Sequence, residues 1–484
     1  MTPAEPAVGA PSLPRIGSIV LRSWLLPGSG HLATGHRRSG RLILGVTLLL
    51  LTGLLAGLAL AFVSPATVAS LAVRPAWLTA LLWGVLILAA LWIAVILRAA
   101  VLARPGSRGL AGRLVAGGVA AVLVAAVALP AGLVARYAHV QRRFVQDVFH
   151  DPTRAQAAAT AQGLPGTLVR GRLNVLLVGS DAGPDRTGTR TDTVILASLD
   201  TRTGRTVLFT LPRNLERVPF APGSVMATEF PRGFTCGPDC LLNGVYGWAV
   251  DHAALFPGDP DPGMTALRSA ATGVLGVPVD YHAIVDLAGF EKLVDALGGV
   301  TLRVERRLPI GGLTASGRHV RPSGYVEPGL QHMTGETALA YARSRSDSSD
   351  YERVQRQRCL LGALQRQADP RQILVNFQQV ARSTADAVQT DIPRDLLPAL
   401  VKLAFKVKSA PVLSLTFTPP LIDTVRPDFP AIRAAVRAAL VPAPPAPPSP
   451  PVPPAAAPGP PPSPSPGATN DAVPVSVEQV CAFQ

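Results

Sequence analysis

Acidic side chains are almost absent from the first third of the chain. Between Met1 and Gln146 the only acidic residue is Glu5, and the segment contains arginines but no lysine. It carries a formal charge of +12 out of the total of +14, which leaves +2 for all the residues that follow. A basic excess confined to an apolar segment indicates charges that flank a membrane, and it argues against a nucleic-acid partner.

Charge of either sign is missing from three long apolar runs in this third. They are Leu42 to Val63, Trp77 to Leu97 and Leu114 to Val134. Each contains about 20 residues, which is the length of a helix that crosses a bilayer. A buried helix pair in a soluble core is the alternative, but three such runs favour the membrane. We predict an N-terminal segment over residues 1–41 and three transmembrane helices over residues 42–137.

The arginines around these runs predict how the chain crosses the membrane. Arg37, Arg38 and Arg41 precede the first run, and more arginines lie between the second and third, whereas Arg74 alone separates the first from the second. Cytoplasmic loops carry the excess of basic residues, so the N-terminus is predicted to be cytoplasmic. The protein is then a multi-pass cell-membrane protein with an extracytoplasmic domain. The stretch from Pro27 to Arg41 is interpreted as a cytoplasmic or interfacial entry to the first run.

Cysteine is scarce, and all four cysteines follow the third run. An even number in an extracytoplasmic domain predicts two disulfides. Cys236 and Cys240 flank three residues and would close a tight loop, which leaves Cys359 to pair with Cys481. A metal site at Cys236 and Cys240 is the alternative, but no second pair of ligands has suitable spacing.

Three familiar catalytic or nucleotide-binding motifs are also missing. The sequence contains no Gly-x-Ser-x-Gly elbow, no His-Glu-x-x-His pair and no P-loop. No covalent nucleophile is therefore indicated.

Beyond a predicted extracytoplasmic linker over residues 138–172, strand and helix patterns alternate. The predicted strands are Asn174 to Asp181, Thr193 to Asp200, Thr206 to Pro212 and Val300 to Glu305, with a hairpin turn at Thr201 to Arg205. The predicted helices are Leu241 to Leu255, Thr265 to Leu275 and Leu287 to Leu297. This alternation predicts an α/β domain over residues 173–440, in which helices cover both faces of a mixed β-sheet.

The end of the chain changes composition. Proline, alanine and serine dominate from Val441 to Gly467, a composition that cannot bury a core and favours polyproline II. We predict a linker over residues 441–470 and a C-terminal segment over residues 471–484 that contains Cys481.

Charged residues stand where predicted strands end and begin. Asp181 ends one strand and Asp192 begins the next, with Arg190 between them and Arg213 just past the hairpin. Carboxylates that converge from adjacent strands suit a hard cation such as Mg²⁺, and the ends of strands in open α/β sheets are where ligands bind. The alternative is that both aspartates are ordinary turn or capping residues.

A second charged cluster lies between Leu339 and Gln357. Ser349 and Glu352 form a capping box that predicts a helix start, and the helix would carry Asp350, Arg353 and Gln357 on one face. Arg343 and Arg345 alternate just upstream. Guanidinium groups near a helix N-terminus suit a multiply charged phosphate group. The alternative is a solvated helix face with ion pairs.

Together these motifs resemble the LytR-CpsA-Psr family of cell-envelope proteins, in its actinobacterial form. The resemblance covers about Asn174 to Arg366 and rests on the order and spacing of its motifs. They are NVLLVGSD from Asn174, RTDT from Arg190, LPRN from Leu211, LNGVYGWA from Leu242, VDYHAIVDLAGFEKLVDALGGVTL from Val279 and GLQHMTGETALAYARSRSDSSDYERVQRQ from Gly329.

The resemblance implies a membrane-anchored phosphotransferase. Such proteins move a glycopolymer from a polyprenyl-pyrophosphate carrier in the membrane lipid onto peptidoglycan, with Mg²⁺. It implies that Asp181 and Asp192 serve the metal. It implies pyrophosphate binding by Arg190, Arg213, Arg343, Arg345, Arg353 and Gln357. Asp192, Arg213, Arg345 and Asp350 are the implied catalytic residues.

One position departs from the family pattern, because Asn214 stands where the family usually has aspartate after Pro-Arg. Asparagine accepts a hydrogen bond but adds no negative charge. A non-catalytic protein that binds polyprenyl pyrophosphate is therefore one alternative. A membrane-bound transcriptional attenuator is another, which the outward-facing domain and its small net charge oppose.

Overall fold

The computed structural model describes residues 21–33, 35–102, 110–148, 171–180, 191–237, 240–311, 320–344, 350–368, 388–417, 421–441, 474–476 and 481. The chain divides into two compact units. One comprises Met1–Gln146 and Leu397–Lys402, and the other comprises Asp147–Leu396 and Leu403–Gln484.

The first unit is helical. Its helices are α1 (Ser29–Ala33), α2 (Arg37–Val63), α3 (Pro65–Ala72), α4 (Pro75–Leu102) and α5 (Leu110–Val148). Among the described residues, three stretches are long and apolar enough to cross a membrane, namely Arg37–Val63, Pro75–Val101 and Gly117–Arg143. Each of the three predicted runs is therefore helical. Helix α5 continues beyond residue 137 to Val148, through residues that do not break a helix.

The second unit is built on a seven-stranded sheet. Its strands are β1 (Arg172–Ser180), β2 (Thr191–Asp200), β3 (Thr206–Leu211), β4 (Tyr281–Val285), β9 (Val388–Thr390), β10 (Val412–Thr416) and β11 (Val475–Ser476), in the order β11-β10-β3-β2-β1-β4-β9. The β1–β4 and β3–β10 pairs are parallel and the other pairs are antiparallel. The sheet is therefore mixed, and the predicted hairpin forms β2 and β3.

Four further strands lie outside this sheet. β5 (Val300–Val304) pairs with β8 (Gly329–Met333), and β6 (Leu308–Ile310) pairs with β7 (Gly324–Val326). The predicted strand from Val300 is thus present, and it belongs to a small separate sheet.

The helices of the second unit cover the main sheet and the small ones. They are α6 (Val225–Glu229), α7 (Val245–Asp251), α8 (Pro262–Leu275), α9 (Leu287–Ala296), α10 (Gly335–Arg343), α11 (Asp350–Gln367), α13 (Phe429–Leu440) and the second part of α12 (Leu397–Ser409), whose first residues, Leu397–Lys402, belong to the first unit. The single helix predicted from Leu241 to Leu255 is wrong in length. Leu241 forms a β-bridge with Glu216, and short 3₁₀ turns flank α7 on both sides.

Both faces of the central strands β2 and β3 are buried, as the predicted α/β fold requires. Alternate residues of β2 point to opposite faces. Val194 and Leu196 join the main core with residues of α8 and α13, whereas Ile195 and Ala197 meet Leu361 of α11. A third cluster joins α9, α10 and α11 to the small strands.

Two disulfides join the four cysteines as predicted. Cys236 and Cys240 have Cα atoms 5.5 Å apart, and Cys359 and Cys481 have Cα atoms 5.6 Å apart. The second bridge attaches the C-terminal segment to α11, while β11 of the same segment pairs with β10. The C-terminal segment is thus attached to the outer strand β10 and to α11.

Candidate functional site

The antiparallel register of β1, β2 and β3 brings the end of β1, the start of β2 and the end of β3 together, at one end of these central strands. This end of the strands is called the sheet edge below. β1 ends at Ser180, which pairs with Thr191 at the start of β2. Leu211, the last residue of β3, pairs with Val194 near the same start. The residues that follow β3 therefore meet the first residues of β2, although about twenty positions separate them.

Asp192 and Arg213 form an ion pair at this edge. Nη1 of Arg213 donates a hydrogen bond to Oδ1 of Asp192 at 2.9 Å, and the two side chains are 24% and 23% exposed. A charge-assisted hydrogen bond of this length fixes the orientation of the guanidinium while solvent still reaches it. Such an arrangement can present an oriented positive charge to an anionic ligand.

Two arginines of the second charged cluster are buried. Helix α11 begins at Asp350, next to the predicted capping box, and Arg353 and Arg356 are only 2% and 7% exposed. Burial lowers the pKa of Arg356 below its ordinary value. The alternative of a solvated helix face therefore does not apply to these two arginines, because almost none of their surface is accessible to water.

Arg356 connects α11 to the end of α10. Its Nε donates to the carbonyl of Tyr341 at 3.0 Å, and its Nη2 donates to the carbonyl of Ser344. These carbonyls belong to the last turn and cap of α10, where carbonyl groups have no partner inside the helix. The hydroxyl of Ser344 in turn donates to the carbonyl of Pro309 at 3.0 Å. Arg356 therefore holds the chain at the point where it leaves α10 toward residue 345.

The other predicted site residues occupy varied positions. Arg343 is exposed at the end of α10, and Gln357 is half-buried in α11. Asp350 is the first residue of α11. Asp181, Arg190 and Arg345 lie outside the described residues.

Thr424, which was not predicted to belong to the site, contacts Asn214, the position that departs from the family pattern. Asn214 donates through Nδ2 to Oγ1 of Thr424 at 3.4 Å, and its Oδ1 is buried without a hydrogen-bond partner among the described residues. The amide of Glu216 donates to the carbonyl of Thr424 at 3.0 Å. No local pattern marks Thr424, because its contacts are with residues about two hundred positions earlier.

The described residues do not by themselves form a metal site. Within the described ranges, no group of three His, Cys, Asp or Glu side chains is placed to hold an ion. Asp192 offers one carboxylate there, and its Oδ1 already accepts a hydrogen bond from Arg213.

The family model described as LytR-CpsA-Psr matches residues 146–420, which is more than half of the chain. The chain belongs to the LytR-CpsA-Psr family. The Arg213–Asp192 pair and the buried arginines of α11 all lie within the part that matches the family. The motifs that carry the resemblance are therefore spread over one folded unit of this LytR-CpsA-Psr protein.

Characterised relatives of this LytR-CpsA-Psr protein are similar over part of their length. The cell wall biosynthesis protein LcpA of Corynebacterium glutamicum is 28% identical over 254 residues, which cover 48% of this chain and 46% of LcpA. The polyisoprenyl-teichoic acid–peptidoglycan teichoic acid transferase TagU of Enterococcus faecalis is 27% identical over 243 residues, 49% of this chain and 66% of TagU. The matched region thus spans less than two thirds of either relative. The crystal structure of Bacillus subtilis TagV is similar with a TM-score of 0.38 and 22% identity, over 55% of this chain and 96% of that one.

Proposed function

We propose that this protein is a membrane-anchored phosphotransferase that attaches a glycopolymer, carried on a polyprenyl pyrophosphate, to peptidoglycan. The observation that carries the proposal is the oriented Arg213–Asp192 pair at the sheet edge of a LytR-CpsA-Psr family member. Three long apolar helices support membrane anchoring. The arginine bias around them supports an extracytoplasmic second unit, where peptidoglycan is found.

The proposed reaction is a displacement at phosphorus. An acceptor hydroxyl of peptidoglycan attacks the phosphate that carries the polymer, the bond from that phosphorus to the bridging oxygen breaks, and polyprenyl phosphate leaves. Positive groups that neutralise the charge on the transferred phosphate and the leaving group supply most of such catalysis. Arg213 takes this role with Arg190, Arg343, Arg345 and Arg353.

Two carboxylates have different proposed roles in this reaction. Asp192 is bonded to Arg213, so it positions the guanidinium that meets the phosphate. Asp350, at the start of α11, is the candidate that accepts the proton of the acceptor hydroxyl. Gln357, two turns further along α11, would contact the pyrophosphate through its amide.

A requirement for Mg²⁺ is a separate proposal, in which Asp181 and Asp192 would be its ligands. The described residues do not make a complete site for it, and the roles assigned to the arginines do not depend on it. Chelation of divalent ions in the transfer assay, followed by addition of Mg²⁺, tests the proposal. We expect activity to fall and return. Full activity in the presence of the chelator would refute a requirement for Mg²⁺.

The test of the proposed function is transfer by the purified full-length chain in a membrane mimetic. Lipid-linked glycopolymers of several classes serve as donors and peptidoglycan as the acceptor. We expect transfer from at least one donor, and a loss of about a hundredfold or more in Arg213→Lys or Arg345→Lys. A lysine keeps the charge but lacks the planar fork that binds two phosphate oxygens.

Arg366→Lys is the matched control. Arg366 is exposed near the end of α11, and its replacement should leave the rate within about twofold of wild type. Rates that are equally unaffected in Arg213→Lys and Arg345→Lys would place both arginines outside the site.

The second candidate function is binding of polyprenyl pyrophosphate without transfer. Asn214 favours it, because the amide adds no negative charge beside Arg213 and its buried Oδ1 lacks a partner among the described residues. Lipid-pyrophosphate binding by the wild-type chain without transfer from any donor would support this candidate. Transfer that is gained in Asn214→Asp would identify position 214 as the cause.

A further inference from the structure

The segment that precedes the first transmembrane helix is folded back against it. Gly28 has a φ of +100°, and a Cβ atom there would lie 2.6 Å from the backbone N of Leu44. A Cβ on Gly40 would meet Cδ2 of Leu32 at a similar distance of 2.7 Å. The hydroxyl of Thr47 lies 3.3 Å from the carbonyl of Pro27 and 2.9 Å from the carbonyl of Ile43, so the two carbonyls share its single proton. The positive φ and the contact with backbone atoms require glycine at position 28, whereas at position 40 a Cβ would displace the side chain of Leu32.

The residues just before α1 pack against the other transmembrane helices. Residues 21–25 are helical, and Ser23 is fully buried. Trp24 packs against Ile96 of α4 and Leu123 of α5. One side of the segment is therefore fixed on the helical unit, which an unstructured cytoplasmic tail would not be.

Its opposite side presents leucines. Leu21, Leu25 and Leu26 are 47%, 61% and 42% exposed, and Leu42 on the first turns of α2 is 71% exposed. Apolar surface costs about 25 cal/mol for each Å² that remains in water. A cluster of large exposed apolar side chains next to a membrane-spanning helix indicates that an apolar medium covers it.

Positive charge accompanies these leucines without any acidic neighbour in sequence. Arg22, Arg37, Arg38 and Arg41 are all exposed. After Glu5, the first acidic residue of the chain is Asp147. Exposed leucines beside unopposed arginines are typical of an element in the plane of an anionic membrane surface, whereas a nucleic acid would leave the leucines in water.

We propose that residues 21–33 and 35–42 form an interfacial element that binds anionic phospholipid. Its leucines enter the boundary between headgroups and acyl chains, and its four arginines contact phosphate groups of the headgroups. This inference concerns the first unit only and does not depend on the proposed transferase activity.

A label attached to Leu25 tests the depth of the element. All four native cysteines are in disulfides, so a cysteine introduced by Leu25→Cys is the one thiol available for a nitroxide. Leu54→Cys, in the middle of α2, is the reference for the membrane, and Val425→Cys, in the second unit, is the reference for water. We expect the Leu25 label in the full-length protein to contact oxygen more than a water-soluble nickel chelate, as the Leu54 label does. A label that behaves like the one at Val425 would overturn the proposal.

The choice of lipid is tested with the full chain reconstituted in bilayers. The fraction of spin-labelled lipid that the protein immobilises is measured for phosphatidylglycerol and for phosphatidylcholine. The ratio of the two gives the preference for the anionic lipid. Each arginine near the surface should account for about a fivefold preference, the equivalent of about 1 kcal/mol. Replacement of Arg22, Arg37, Arg38 and Arg41 by glutamine should therefore lower it well below the wild-type value, and the arginines between the second and third apolar runs should retain the remainder.

Arg74→Gln is the control for this experiment, because Arg74 is exposed in the loop between α2 and α4 at the other end of α2. It removes a single arginine, so the preference should fall by no more than about fivefold. A preference as strong in the fourfold variant as in wild type, or one that falls as far in Arg74→Gln as in the fourfold variant, would overturn the assignment of these arginines to headgroup binding.

Discussion

Arg356 offers a direct test of how the second charged cluster is built. Its guanidinium, almost fully buried, donates to the carbonyls of Tyr341 and Ser344 at the end of α10. The positive charge also lies at the C-terminal end of that helix, where the dipole favours a cation. Arg356→Met keeps much of the length and apolar volume of the side chain but removes both donors.

The expected loss follows from these two bonds. A hydrogen bond that involves a charged group contributes about 1.5–3 kcal/mol. Loss of both would destabilise the end of α10 by about 3 kcal/mol or more, which is large against a total stability of about 5–15 kcal/mol. Arg356→Lys can restore one of the two bonds, so it should lose about half as much.

Hydrogen exchange on the full-length protein measures this effect where it occurs. In Arg356→Met, amides of residues 335–344 should exchange about a hundredfold faster than in wild type, because a local opening that costs 3 kcal/mol less is that much more populated. Arg366→Met is the control on the same helix and should leave these amides unchanged. Exchange within twofold of wild type in Arg356→Met, or equal increases in both variants, would refute the capping role.

Three further predictions concern the disulfide, the pH dependence and the topology. Cys481→Ser should lower the thermal midpoint of the full-length protein, since a bridge across 122 residues is expected to contribute about 4–5 kcal/mol; an unchanged midpoint would contradict this. Burial alone raises the pKa of Asp391, but the hydrogen bonds and charge of His282 and the charge of Arg268 outweigh it and lower the net pKa. The free energy of unfolding that Asp391 contributes should therefore be present above about pH 4 and lost as the pH falls through the lowered pKa. Asp391→Asn should reduce the dependence of the free energy of unfolding on pH in this acidic range. A C-terminal fusion to a reporter that works only in the cytoplasm should be silent. Reporter activity would place the C-terminus in the cytoplasm and refute the proposed orientation.

Local features of the sequence were sufficient for several parts of the structure. The three membrane-length helices follow from uncharged runs, because the cost of charge in a bilayer acts on each helix separately. The β2–β3 hairpin follows from two apolar runs joined by a short polar turn. The pairing of Cys359 with Cys481 followed from an even count of cysteines once Cys236 and Cys240 were assigned to each other.

Local sequence patterns did not predict which strands pair with each other. β9 and β11 contain three and two residues, which are too short to show any periodicity. β5 looked like a strand of the main sheet, yet it pairs with β8 in a separate small sheet. A strand pattern reports burial of its own side chains but contains no information on which partner supplies its hydrogen bonds.

The site depended most on tertiary structure. The sequence by itself determined that charged residues follow β3 and begin β2, and that arginines cluster around residue 350. Only the folded chain decided that Arg213 meets Asp192, that Thr424 reaches Asn214, and that Arg356 is buried as a cap for α10. These contacts join residues between 15 and 210 positions apart. Their free energy comes from long-range pairing and burial, which no short window of sequence reports.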